Sequence, residues 1–454
     1  MILRSLSLSI ITAAATLVSA ASAQAGKPDP SRADAPLEPD TCGAFKTDPR
    51  VAAHLTVTCS DDHASYWDCR PAGLWATVDS ACGEDPITFG RHPACTLAAD
   101  GIEGRLTPAH TELFALLAVT DGEPWMKCRQ GPEHPAGLGM LGLGFMRAKD
   151  KAATLVALIE PSRANALGGD GKVLAVQALW RMGARDTDAA MAAVLPTGTG
   201  VLGFRAYILQ VLSLWGSNAA IPYCMQAIGG QHTETARACA SYLADRAHAE
   251  AVPLIVRNID RLEVEGLIAL GRLGAGNARA KSVLDEKAES GGNAFIAARI
   301  ALAELGSTTA LKEIQARLAS VSDLRGEVLT LAHATGKKVK ADIIAWLSRE
   351  QARLAKEDKL AAARALIVRA QLGDPKAIAQ LAEKLDDSDA DIRKSALAAI
   401  GGAFGTLEQG AGRRIVPDKS LIPALKAFYG VEQDPDLKAS AVGAWADLVA
   451  ATSL

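Results

Sequence analysis

The chain has few aromatic side chains, 4% of residues against 49% hydrophobic overall. Ala and Leu therefore supply most of its apolar surface, which suits closely packed helices better than a β-sandwich. It also lacks any C-x-x-C pair, so the usual zinc, thiol-redox and haem-attachment spacings are excluded. No G-x-S-x-G, H-E-x-x-H or P-loop is present. No run is basic enough to point to nucleic acid. Beyond residue 25, no stretch stays apolar for the roughly 18 residues that a membrane-spanning helix needs. The charge balance is close to even, with a net of −3.

What the chain does have is a recurring phrase: a short Ala- and Leu-rich run that closes on a small residue. It reads Ala178-Leu-Trp-Arg-Met-Gly183, Leu212-Ser-Leu-Trp-Gly216, Ala269-Leu-Gly-Arg-Leu-Gly274 and Ala301-Leu-Ala-Glu-Leu-Gly306. Ala370-Gln-Leu-Gly373 and Ala398-Ala-Ile-Gly-Gly402 follow. From Gly183 the closing glycines step by 33, 58, 32, 30 (to Gly336), 37 and 29 residues. The long step holds two units, with a degenerate copy at Ala238 to Asp245. A fixed period in this range means stacked units, because one unit cannot bury its own apolar face. Each unit reads as two helices, and about nine hairpins fill residues 137–450 with no sheet. Trp346 to Lys359 predicts longer helices, and Phe404 to Lys419 an insertion.

The start of the chain is different. Arg4 is the only charge before Lys27, Leu6 to Val18 is mostly apolar, and Ala21-Ser-Ala23 and Ala23-Gln-Ala25 are small-x-small sites. Residues 1–25 therefore read as a secretory signal peptide, and the mature protein as exported, periplasmic or extracellular. Residues 26–41, rich in Pro and Asp, read as a flexible linker. Residues 42–136 form a Cys-rich module; residues 26–136 carry a net charge of −8, against +4 for residues 137–454. A helix is predicted from Thr107 to Val119.

Export makes disulfides the natural state of the eight cysteines, Cys42, Cys59, Cys69, Cys82, Cys95, Cys128, Cys224 and Cys239. The first six can pair in 15 ways, and the sequence does not choose among them. Cys224 and Cys239 flank the turn Gly229-Gly-Gln-His232 symmetrically, which predicts a bridge across one helical hairpin.

The segment from Gly373 to Gly401 resembles the short bacterial HEAT repeat, the type also found in phycobilisome-lyase-like proteins. The residues that carry the resemblance are the acidic turn at Asp389, then Ile392, Arg393, and Ala396 to Ile400 before Gly401. The resemblance extends approximately over residues 137–450. It implies an all-α fold, a right-handed α-solenoid, preceded here by a small disulfide-rich module. It also implies a scaffold that binds a protein partner along a concave surface, with no cofactor and no catalytic residue carried over. Lyase activity is not implied. The alternative function is an envelope-associated enzyme with its site in the Cys-rich module. An envelope assembly role is a third reading.

Arg205, Arg237, Arg299, Arg325, Arg364 and Arg393 fall early in the second helices. In a stack of this kind such arginines pair with acids of the neighbouring unit. The alternative is a basic binding face for an acidic partner. Gly137-x-Gly139-x-x-Gly142 matches a dinucleotide fingerprint in letters but lacks the preceding strand. Asp387, Asp389 and Asp391 alternate as in a calcium loop, but Ile392 and Ala398 stand where the loop needs Gly and Glu, so a capping turn is expected. His54, His63, His92, His110 and His134 have no metal-ligand spacing.

Overall fold

The computed structural model describes residues 49, 57–60, 68–71, 99–106, 108–119, 135–160, 168–197, 204–289, 292–319, 336, 339–401 and 418–453. The fold is all-α apart from one small antiparallel hairpin, β1 (Val57–Ser60) and β2 (Asp68–Pro71), in which Cys59 stands opposite Cys69. Cys42, Cys82, Cys95, Cys128, Arg325 and the leader and linker segments lie outside the described residues.

The helices alternate between first and second members of hairpins. The first members are α1 (Pro108–Ala118), α3 (Ala152–Ile159), α5 (Asp188–Ala193), α7 (Ile221–Ala227), α9 (Val252–Arg257) and α11 (Ala278–Lys287). Their second members are α2 (Pro135–Phe145), α4 (Gly168–Met182), α6 (Phe204–Trp215), α8 (Thr233–Asp245), α10 (Ile259–Leu273) and α12 (Gly292–Glu304). The helix α13 (Thr308–Ala319) follows, then the pairs α14 (Lys340–Leu354) with α15 (Lys359–Gln371), α16 (Pro375–Glu383) with α17 (Ala390–Gly401), and α18 (Leu421–Val431) with α19 (Pro435–Thr452). The expected helix in the Cys-rich segment is α1, and it packs on α2, so the helical row begins upstream of residue 137. The expected longer helix is α14, at 15 residues.

The closing phrase is a helix-stop device. At Gly183, Gly216, Gly306 and Gly373 the backbone turns left-handed, with φ of 66°, 75°, 106° and 80°. In each case the next residue donates its N–H to a carbonyl five residues back: Ala184 to Leu179, Ser217 to Leu212, Ser307 to Leu302, and Asp374 to Arg369. The glycine N–H itself bonds three residues back. This pair of bonds satisfies the last carbonyls of the helix and needs a residue that tolerates positive φ. Arg147 and Ala247 make the same turn without glycine, at φ 54° and 53°, and Ala148 and His248 reach back to Leu143 and Leu243. The degenerate copy ending near Asp245 is therefore a complete one in backbone terms. Gly274 departs from the pattern. Its φ is −82°, and it is small because a Cβ there would sit 2.5 Å from the Leu270 carbonyl oxygen.

Second helices pack on one another from unit to unit, whereas neighbouring first helices touch only lightly. The second helices thus form the tight, inner side of a bent row. Close approach is made by small residues. A Cβ on Gly144, Gly271 or Gly401 would lie 2.9, 2.7 or 1.9 Å from the Cα of Ala178, Ala301 or Ala444 on the next second helix. The dinucleotide-like glycines act in the same way inside α2: Gly139 and Gly142 abut Ala118 and the Phe114 ring of α1. One large apolar core runs through the described hairpins, from Ala99 to Ala450, beside a small cluster of Phe145, Val442 and Ala446.

The row then meets itself. The last helix, α19, packs on α17 along one flank and on α4 along the other. Residues 99–106 and the end of α2 complete that junction, with Glu103 paired to Lys426 at 2.7 Å and Gly101 backed against Phe145.

The left-handed turns generate a stability prediction. Gly183→Ala should lower stability by about 1 kcal/mol, and Ala247→Gly should raise it by about 0.5–1 kcal/mol, because only the first forces a Cβ into positive φ. Thermal or urea melts of the two variants check this, and equal effects of the same sign would contradict the cap.

Candidate functional site

The arginines early in the second helices are held within the chain. Arg205 Nε donates to the Leu195 carbonyl at 2.9 Å, which ties α6 to the end of α5. Arg237 forms an ion pair with Glu263 and donates to the Arg261 carbonyl at 3.2 Å. Arg299 pairs with Glu313 at 2.5 Å and covers the Phe295 ring at 5.3 Å. Arg393 donates to Glu432 at 3.0 Å and to the carbonyls of Asp387 and Ser388 at 3.0 and 3.3 Å. Arg364 is engaged within the chain as well. The structure does not bring these side chains together as one cluster. Arg237, Arg299 and Arg393 tie successive hairpins, whereas Arg205 ties the two helices of its own hairpin.

A second polar line runs along the other end of the inner helices. Ser213 on α6 donates to Asp245 on α8 at 2.5 Å, and Arg272 on α10 donates to the same carboxylate at 2.8 Å. Glu304, 8% exposed, accepts from the backbone N–H of Gly336 at 2.7 Å and of Val339 at 3.3 Å, where α14 begins. Arg369 and Asp374 form a buried pair beside Gln351. Most of these groups stand within a few residues of a helix-closing turn. The same spacing puts Arg181 two residues before Gly183, and there it meets Asp447 of α19.

Arg181 Nε donates to Asp447 Oδ1 at 2.9 Å, with both side chains almost wholly buried. The guanidinium also lies over the Phe145 ring at 4.6 Å. Burial pushes the Asp447 carboxyl above its ordinary value, and the facing Arg181 charge opposes that rise. The pair is 266 residues apart in sequence, so no local pattern could have announced it.

The strongest backbone irregularity lies on α10. Glu263 adopts φ 48° and ψ −129°, which breaks the helix, and Arg237 holds its carboxylate. One turn on, burial raises the pKa of Glu265, which also faces Arg237 and Glu263. Strain at a non-glycine residue persists only where neighbours enforce it. No sequence signal marked Glu263, because its side chain is ordinary for a helix.

The remaining candidates resolve simply. Cys224 on α7 and Cys239 on α8 are fully buried and face each other across the hairpin as a disulfide pair, with Cα atoms 4.9 Å apart. In the acidic turn, Asp387 and Asp389 accept from the N–H groups of Asp389 and Asp391 at 3.1 and 2.9 Å. Lys384 and the Asp389 N–H hold the Asp387 carboxyl below its usual value. His110 lies beside Phe114, and the other four histidines of the amino-terminal segment are outside the described residues. Among the described residues, no three His, Cys, Asp or Glu side chains converge as a metal site, and no helix is long and apolar enough to cross a membrane.

Compared with known proteins, the chain matches no family model, no curated protein and no solved structure.

Two outcomes follow from these contacts. Arg393→Ala removes a side chain that both caps the acidic turn and reaches the next hairpin. It should cost about 1–2 kcal/mol, read as a lowered melting midpoint, and an unchanged midpoint would remove Arg393 from the ties between hairpins. For Cys224 and Cys239, peptide mapping of the chain without reduction should recover the two as one linked fragment. Recovery of both as alkylated thiols would show them unbridged. A bridge spanning 15 residues contributes about 3 kcal/mol in the chain-entropy model, so reduction should lower the melting temperature.

Proposed function

We propose that this chain is an exported scaffold of the HEAT-repeat kind, a right-handed α-solenoid that binds a protein partner along its inner surface. The observation that carries this reading is the way the second helices are used. They pack on one another along the described row, and they carry half-buried apolar and aromatic side chains at the edge of the core: Leu174, Tyr207, Leu214, Val264, Phe295 and Ile367. A surface of this kind, spaced one or two side chains per unit, suits an elongated polypeptide better than a small molecule. Aromatic anchors supply most of the energy at such interfaces.

The arginines belong to the scaffold rather than to the partner in this reading. Arg205, Arg237, Arg299 and Arg393 already have a carboxylate or carbonyl, so recruiting one for a partner would cost a tie within the stack. Export and the Cys224–Cys239 bridge complement each other, because a scaffold held in an oxidising compartment gains from a clip inside the stack.

The test uses the mature chain as bait in its own envelope fraction, with a variant in which Tyr207→Ala and Phe295→Ala are combined. Wild-type bait should retain a defined partner, and the variant should lose at least about tenfold of that retention, since two anchors of this size contribute more than 1.4 kcal/mol together. Equal retention by a variant of unchanged helicity would take the inner surface out of the account.

A further inference from the structure

The junction between α19 and the start of the row differs in kind from the other junctions. Three junctions between second helices place glycine on alanine: Gly144 with Ala178, Gly271 with Ala301, and Gly401 with Ala444. Those contacts are dry and close, and they belong to the continuous core. Where α19 meets α2 and α4, the buried apolar residues are Phe145, Val442 and Ala446, and they form a small cluster separate from that core. The contact also holds the Arg181–Asp447 pair, with the guanidinium close to Gly443. At the rim, Lys426 bridges to Glu103 and lies over the Trp445 ring at 4.8 Å.

The energetics of this seam are those of a reversible contact. Two buried charges lose their hydration when the seam forms, and their attraction does little more than repay that loss. When the seam parts, water solvates both again, and only a small apolar cluster is uncovered. A glycine–alanine junction has no such compensation, since opening it only exposes apolar surface. The seam joins non-consecutive units, so it can open without straining any connection between successive hairpins.

We propose that the α18–α19 hairpin is a latch: the row exists as a closed circuit held by Arg181 and Asp447, and opens at this seam to give an extended partner lateral access to the inner surface. The access role rests on the reading of the inner surface as a binding face, whereas the latch itself does not. Closure holds the free protein compact. Opening uncovers Phe145, Val442 and Ala446 together with the inner layer.

Solution scattering of the purified mature chain, with circular dichroism as a control, tests the latch without any partner. Arg181→Met and Asp447→Asn should each keep the wild-type helical signal and shift the radius of gyration upward. The exchanged pair Arg181→Asp with Asp447→Arg should return it towards the wild-type value. Unchanged dimensions in both single variants would overturn the proposal. So would loss of helicity in either one, because that would make the pair part of the indispensable core. A folded double exchange that stays expanded would also overturn it. Partner capture by the same variants is read separately: a latch that opens without gain in capture removes the access role and leaves the conformational device standing.

Discussion

Every second helix in this row needs a neighbour on each flank, and that requirement governs the rest of the molecule. A lone hairpin of Ala- and Leu-rich helices buries one face only, so each unit is completed by the next. The cost of such a design falls on the two ends, where a flank would face water. Here the chain covers both ends with each other. The helix α19 lies between α17 and α4, and residues 99–106 fill the corner beside α2 and α18. The ends are therefore finished by mutual contact.

Small residues make the row tight enough to bend. Because Gly144, Gly271 and Gly401 sit against alanine Cα atoms, the inner helices come closer than larger side chains would permit. The first helices, with bulkier contacts and lighter mutual packing, spread on the outside. Each turn between units is set by the left-handed residue after the second helix, which redirects the chain in the same way six times.

Much of this was legible in the sequence, for physical reasons. The glycine that closes each phrase is demanded by positive φ, and that demand shows in residue choice. Arg147 and Ala247 make the same turn without glycine, so composition alone left the first copy unread and the fourth as degenerate. The acidic turn before Arg393 was readable because short-range capping has a short-range signature. The closing pair was not readable. Arg181 looks like any surface arginine near a helix end, and Asp447 like any acid in an Ala-rich helix, and only tertiary structure puts them in one buried site. The break at Glu263 was hidden for the same reason, since neighbours on α8 impose it. The proposed function was legible only as a class, because the shape and the occupant that would define a binding surface leave no local mark in the sequence.

The central claim is that the row closes on itself in solution. Zero-length carbodiimide coupling of the native chain, followed by peptide mass spectrometry, tests it directly. Lys426 and Glu103 lie 2.7 Å apart, on the last hairpin and on the segment before the first. The account predicts an amide between these two side chains within a monomeric chain. Efficient coupling at other adjacent pairs, such as Lys287 with Asp260, with no Lys426–Glu103 product would show that the ends of the row do not meet.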